Sequence, residues 1–176
     1  MLRCMTHSEP SLMPSTTIDP YRRLETDDAL ADQLNRLFDV AEVRQMWLLF
    51  LDGASRLADP IMPMDDHPLE PDELFDTEDL GRVPFVRVMV ERARMACELV
   101  GAHEFVLIWE RRGSAALDAH DVRWARGLAE AAGRGSGEGC GQGFGAGLTG
   151  RTVAPLRAQL LLHDGGVRLI GEEELA

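Results

Sequence analysis

The sequence contains no lysine. All 18 of its basic residues are arginine, and they stand against 30 acidic residues, which gives a formal net charge of −12. The absence of lysine excludes a P-loop lysine on a phosphate, and it excludes Schiff-base and other lysine-nucleophile mechanisms. An acidic chain of pI about 4.8 also lacks the positive patch that gives nucleic-acid binders most of their affinity. The composition therefore predicts no nucleic-acid partner.

Cysteine is scarce and long apolar runs are missing. Cys4, Cys97 and Cys140 show no CxxC or other ligand spacing, which indicates reduced thiols in a cytoplasmic protein. Cys97 falls in an apolar helical pattern, so we expect it in the core. The longest apolar run, Met46 to Leu51, is far shorter than the roughly 18 residues of a membrane span. We therefore expect no membrane partner.

The length and the hydrophobic fraction, 176 residues and 45%, are typical of one soluble globular domain. Residues 1–25 are polar and rich in proline, which predicts a disordered tail before a single domain over 26–176. Residues 133–150 hold nine of the 17 glycines and predict a flexible insertion within that domain. A nucleotide-binding glycine loop is the alternative, but that fingerprint follows a strand and this segment follows a predicted helix.

The spacing of apolar residues predicts three helices and about five strands. The predicted helices are Asp27–Ala41 with a cap at Thr26, Phe85–Val100 stopped by Gly101, and a third that starts at the capping-box pattern Asp118–Asp121 and runs to about Ala132. The predicted strands are Met46–Leu51, an irregular edge strand Arg56–Met64, Glu104–Glu110, Arg157–His163 and Val167–Ile170. This order predicts an α/β (α+β) protein whose mixed sheet has a hairpin at each end and three flanking helices.

Residues 65–79 carry eight acidic residues and no arginine, which predicts a solvated acidic loop. Such a loop attracts basic partners and raises their encounter rate. The candidate interaction residues are Asp65, Asp66, Glu70, Asp72 and Glu73. The amphipathic first helix is a second candidate surface. His67 follows two aspartates in a pattern open to metal binding, but loose carboxylate clusters are common on surfaces, so we predict no metal and no cofactor.

The segment after the strand Glu104–Glu110 carries the candidates for chemistry. Ser114 follows a buried strand, as a hydrolase nucleophile does, although the G-x-S-x-G elbow is missing. Glu110 is the candidate general base and Asp121 the third candidate catalytic residue. Arg111 and Arg112 are candidates for clamping an anion, with pairing to the acidic loop as the favoured interpretation. A small hydrolase or an anion-sensing domain that uses a Glu110–Asp121 cleft is therefore the alternative function.

Over most of residues 46–172, from the first predicted hairpin to the last, the order of elements resembles the C-terminal domain of RadC proteins, which has the JAB/MPN fold. Metalloprotease members carry H-x-H, a loop with glycine, and S-x-x-D opening a helix. Asp121 falls on the motif aspartate and Asp118 on the serine, whereas Ile108 and Glu110 occupy the two histidine positions. The resemblance implies a metal-less relative, since a zinc site needs three protein ligands. We therefore expect a non-catalytic bacterial module that acts through protein contacts.

Overall fold

The computed structural model of the protein describes residues 19–134 and 153–175. The helices in these ranges are α1 (Asp27–Leu37), α2 (Phe85–Val100) and α3 (Ala119–Arg134), with a 3-10 helix at Glu172–Leu175. The strands are β1 (Gln45–Leu51), β2 (Leu57–Met64), β3 (Leu74–Thr77), β4 (Gly81–Pro84), β5 (Glu104–Glu110), β6 (Leu156–His163) and β7 (Gly166–Leu169). The predicted α/β class is confirmed. Within these ranges, no helix combines the length and apolar character needed to cross a bilayer.

Five strands form one mixed sheet in the order β2-β1-β5-β6-β7. β1 is antiparallel to both of its neighbours, β5 runs parallel to β6, and a tight turn joins β6 to β7. The predicted hairpins therefore form the two edges of the sheet. Because side chains alternate along a strand, Phe105, Leu107 and Trp109 of β5 face α2 and α3, while Val106 and Ile108 face α1.

Helix α2 has the predicted bounds. It ends where Gly101 adopts a left-handed conformation (φ 71°), a conformation that glycine adopts without a Cβ penalty, and the Gly101 N–H bonds the last turn. Cys97 is buried as predicted, and its burial raises the pKa of the thiol to about 11. Arg94 of this helix is only 5% exposed, and its guanidinium donates to the Ala132 carbonyl of α3 at 2.6 Å.

Helix α1 is shorter than predicted and its apolar face is already used. Thr26 caps it as expected, but Phe38 turns to extended backbone, so the helix ends at Leu37. Leu30 and Leu34 are fully buried against the sheet. The apolar face therefore belongs to the core of this chain, and the idea that it forms a docking surface is wrong.

The acidic segment is not a loop throughout. Residues 74–77 pair with 81–84 as the separate hairpin β3–β4, and the ring of Phe75 packs on Phe85 at 5.0 Å. At the other end of the domain, Leu24 is buried and its N–H donates to the Ser55 carbonyl, so the folded part begins before residue 26. Residues 1–18 of the tail predicted over 1–25 and residues 135–150 of the insertion predicted over 133–150, with Cys4 and Cys140, lie outside the described residues.

Candidate functional site

Glu110 ends β5 with its carboxylate on the α1 side of the sheet. Oε1 accepts from the backbone N–H groups of Glu42 (2.7 Å) and Val43 (3.1 Å), and Oε2 accepts from Gln45 Nε2 (2.6 Å) and Trp47 Nε1 (2.8 Å). Burial by itself would raise the pKa of this carboxyl, but the hydrogen bonds, led by that from Gln45, outweigh burial and lower it. The carboxylate therefore fastens β5 to the chain that leads into β1.

Arg111 holds the loop after β5 against the start of α3. Its Nε and Nη2 donate to Asp121 Oδ2 at 2.8 and 2.7 Å, and the pairing raises the pKa of the guanidinium. Nη2 also donates to the Ala116 carbonyl at 2.7 Å, and Nη1 donates to the carbonyls of Arg112 and Ser114 at 3.3 and 3.2 Å. With these donors committed to the chain itself, Arg111 is not available to clamp an anion.

Asp118 and Asp121 form the capping box that the sequence predicts. Asp118 Oδ1 accepts from the backbone N–H groups of His120 and Asp121 at 2.8 Å, and Asp121 Oδ2 accepts from the Asp118 N–H at 3.0 Å. The bonds from the Asp121 and His120 backbone lower the pKa of Asp118. The side chains of Asp118, His120 and Asp121 offer possible metal-ligand atoms within 4.8 Å of one another. Both aspartates, however, already accept hydrogen bonds at the start of the helix.

The predicted Glu110–Asp121 cleft is not assembled. Glu110 contacts residues on the α1 side, whereas Asp121 belongs to α3 on the opposite side of the sheet. Ser114 is exposed, and its hydroxyl has no hydrogen-bond partner within the described ranges. Arg112 donates to the Glu42 carbonyl at 3.0 Å. The favoured pairing of the two arginines with the acidic segment is wrong, because Arg111 pairs with Asp121 and Arg112 with a backbone carbonyl.

The same alternation bears on the resemblance to JAB/MPN domains. In that motif, the two histidine positions and the aspartate meet at one metal. Here the corresponding Ile108 and Glu110 face α1, while Asp121 starts α3 on the other side of the sheet. The structure therefore does not bring the three motif positions together.

The acidic segment, residues 65–79, is attached through its backbone and apolar groups, with its carboxylates outward. The Leu69 carbonyl accepts from Trp124 Nε1 at 3.0 Å, and Pro71 is buried. Two carboxylates are paired: Glu70 with Arg123 at 2.8 Å and Asp79 with Arg92 at 2.6 Å. Six are exposed and form no ion pair within the described ranges: Asp65, Asp66, Asp72, Glu73, Asp76 and Glu78.

His67, within this segment, belongs to an aromatic cluster. Its ring meets Trp109 and Trp124 edge to face, at centroid distances of 5.9 and 5.5 Å. Both ring nitrogens are buried and neither has a hydrogen-bond partner among the described residues. Burial lowers the pKa of His67, and the positive fields of Arg44 and His120 lower it further. The imidazole is therefore a neutral packing group rather than the metal ligand considered from the sequence.

A groove that sequence patterns did not reveal lies between the edge strand β2 and helix α2. It has a volume of about 300 Å³ and an almost wholly apolar lining. The lining residues are Leu48, Met62, Met64, Asp65, His67, Phe85, Val88, Met89, Arg92, Ala93 and Ala96. The one sequence signal is the Met-Pro-Met run of 62–64, which places two methionines on an edge strand that cannot pair regularly.

A scan of the chain against protein-family models found no match, and a search of curated proteins also found none.

Proposed function

We propose that the protein is a non-catalytic α/β module that acts in the cytoplasm by contact with a basic protein partner, which its acidic segment attracts. One observation carries the proposal: six of the eight carboxylates of that segment are exposed and make no ion pair in the described part of the chain. Two arginines of the chain are committed to other carboxylates, since Arg111 pairs with Asp121 and Arg157 pairs with Asp27. A concentrated negative surface of this kind steers basic partners.

The geometry supports contact rather than catalysis. Glu110 and Asp121, proposed as acid–base groups from the sequence, each satisfy several backbone or side-chain donors of their own chain. The Ser114 hydroxyl has no hydrogen-bond partner in the described ranges. Descent from a metal-less JAB/MPN domain stays a proposal: the mixed sheet with a hairpin at each edge supports it, and the separation of the motif positions speaks against it.

A pull-down with matched variants tests the proposal. One variant neutralises four acids of the segment (Asp65→Asn, Asp66→Asn, Asp72→Asn, Glu73→Gln). The control neutralises four exposed acids elsewhere (Asp39→Asn, Glu42→Gln, Glu172→Gln, Glu173→Gln) and so has the same net charge. We expect proteins captured by the wild type to be lost from the first variant, kept by the control, and weakened by salt. Equal capture by both variants would refute a role for the segment.

A further inference from the structure

The groove between β2 and α2 is open along one side and lined by soft side chains. Its lining includes three methionines, Met62, Met64 and Met89. On the α2 side, the small side chains of Ala93 and Ala96 leave space for an occupant. Methionine is flexible and polarizable, so a surface rich in methionine adapts to apolar side chains of different shapes. The lining therefore suits an occupant with large aliphatic or aromatic groups.

The apolar surface continues past the groove along α2. Met95 is 47% exposed and Leu99 is 86% exposed, and both follow Val88 and Ala96 at helical spacing. Met62 on β2, 38% exposed, borders the same surface. From Val88 to Leu99 the track is about 16 Å long at the rise of an α-helix. That length matches roughly three turns of a helix laid along the track. It therefore suits a helix better than a small molecule.

The charge at the rim of the groove is negative. Asp65 lines the groove and Asp66 follows it, and neither forms an ion pair in the described part of the chain. Arg92 is the one cationic residue among the lining groups, and both of its terminal nitrogens donate to Asp79, at 2.6 and 2.8 Å. An acidic occupant is therefore repelled, and an occupant with basic residues beside its apolar face is attracted.

The exposed edge of β2 does not favour an added strand. Pro60 and Pro63 lack the N–H groups that a pairing strand needs. Resting on the proposed function, we infer that the groove binds a basic amphipathic helix of the protein partner. The helix lays its apolar face on α2 and β2 and directs lysine or arginine side chains to Asp65 and Asp66.

The probe is a labelled synthetic peptide of leucine and lysine, about 15 residues long so that a helix can form, with the leucines on one helical face. Two peptides serve as controls: one has glutamate in place of lysine, and the other has the same composition with the leucines scrambled. Fluorescence anisotropy at about 0.1 M salt measures binding to the full chain. We expect the patterned lysine peptide to bind at least about tenfold more tightly than either control.

Two substitutions of alanine by tryptophan locate the site. Ala96→Trp fills the groove, whereas Ala129→Trp places the same ring on an exposed position of α3. We expect the first to weaken binding about tenfold or more and the second to leave it unchanged. Methyl NMR of methionine-labelled wild-type protein avoids any effect of the substitution on folding. The patterned lysine peptide should shift the signals of Met62, Met64 and Met89, and the scrambled peptide should leave these signals in place.

The outcomes separate this inference from the proposed function. If the lysine peptide binds Ala96→Trp as well as wild type and the methionine signals stay in place, the groove is not the site. The acidic segment keeps its role in that case if Asp65→Asn with Asp66→Asn weakens binding. If the glutamate or scrambled peptide binds equally well, or if no peptide binds, the inference of a basic amphipathic helix is wrong.

Discussion

Glu110 is a buried carboxylate whose four hydrogen-bond donors are all uncharged. Such a group is stable only while every donor keeps an acceptor, because a buried donor left without a partner costs its full desolvation free energy. Two donors converge on each oxygen, and two of the four are backbone groups that cannot move away. The Glu110 carboxylate thus holds the end of β5 to the start of β1 through hydrogen bonds.

Glu110→Gln tests this structural role. The amide NH2 group of glutamine would replace one carboxylate oxygen, so the two N–H groups that donate to that oxygen would lose their acceptor. We therefore expect a loss of about 2 kcal/mol in the free energy of unfolding. Urea denaturation measures this loss. The control is Glu104→Gln at the other end of β5, where no hydrogen bond from the described residues holds the carboxylate. An unchanged urea midpoint for Glu110→Gln would contradict the structural assignment and reopen a role as general base.

At the scale of elements, the start of α3 depends on one cluster. Asp121 satisfies the Asp118 N–H and the Arg111 guanidinium together, so it joins the helix cap to the loop after β5. Its side chain is 8% exposed and that of Arg111 is 20% exposed. Removing one partner of such a pair leaves the other charge without compensation.

Asp121→Ala should therefore lower the free energy of unfolding by on the order of 3 kcal/mol. Ser114→Ala, in the same loop, should change it by less than about 0.5 kcal/mol, because the exposed hydroxyl has no partner in the described ranges. Thermal or urea unfolding of both variants measures the difference. A destabilised Ser114→Ala protein beside a normal Asp121→Ala protein would reverse the two roles.

Elements with strong local signals were predictable. α2 and β5 have the predicted bounds because each is a continuous pattern ended by a residue that stops it, as Gly101 does for α2. The capping box was predictable because its contacts are local. β3–β4 was missed because its few apolar residues stand among acids, and their packing on Phe85 is not visible in the local pattern.

The candidate site was less predictable, because it depends on which face of the sheet each side chain occupies. Glu110 and Asp121 are close in sequence. The alternation of side chains along β5 places Glu110 on the α1 side, however, while the loop after β5 leads to α3 on the other side. The groove combines residues of β1, β2, α2 and the start of the acidic segment, from Leu48 to Ala96 along the chain. No local spacing rule connects such positions, so the groove follows only from the tertiary structure.

For the molecule as a whole, the ring of His67 is one contact through which the acidic segment packs on the core. Its ring packs against both Trp109 of the sheet and Trp124 of α3, and neither nitrogen has a hydrogen-bond partner in the described residues. The pKa of His67 in the folded state lies below its ordinary value of 6.5, mainly because of burial. The unfolded chain therefore binds this proton more tightly than the folded chain does.

It follows that the stability from neutral His67 is complete above about pH 6.5 and is lost as the pH falls below that value. The loss approaches at most about 1.4 kcal/mol per pH unit for one proton.

The variant His67→Phe keeps an aromatic ring at this position but removes the titratable group. We therefore expect its free energy of unfolding to vary less between about pH 7 and pH 5 than that of the wild type. The control His103→Gln, which replaces an exposed histidine, should follow the wild type. Protonation of surface acids also relieves the repulsion within a chain of net charge −12, which acts on all three proteins alike. The difference between the wild-type and His67→Phe curves, from urea unfolding at each pH, therefore isolates this one histidine, and parallel curves would show that it does not couple the acidic segment to the core.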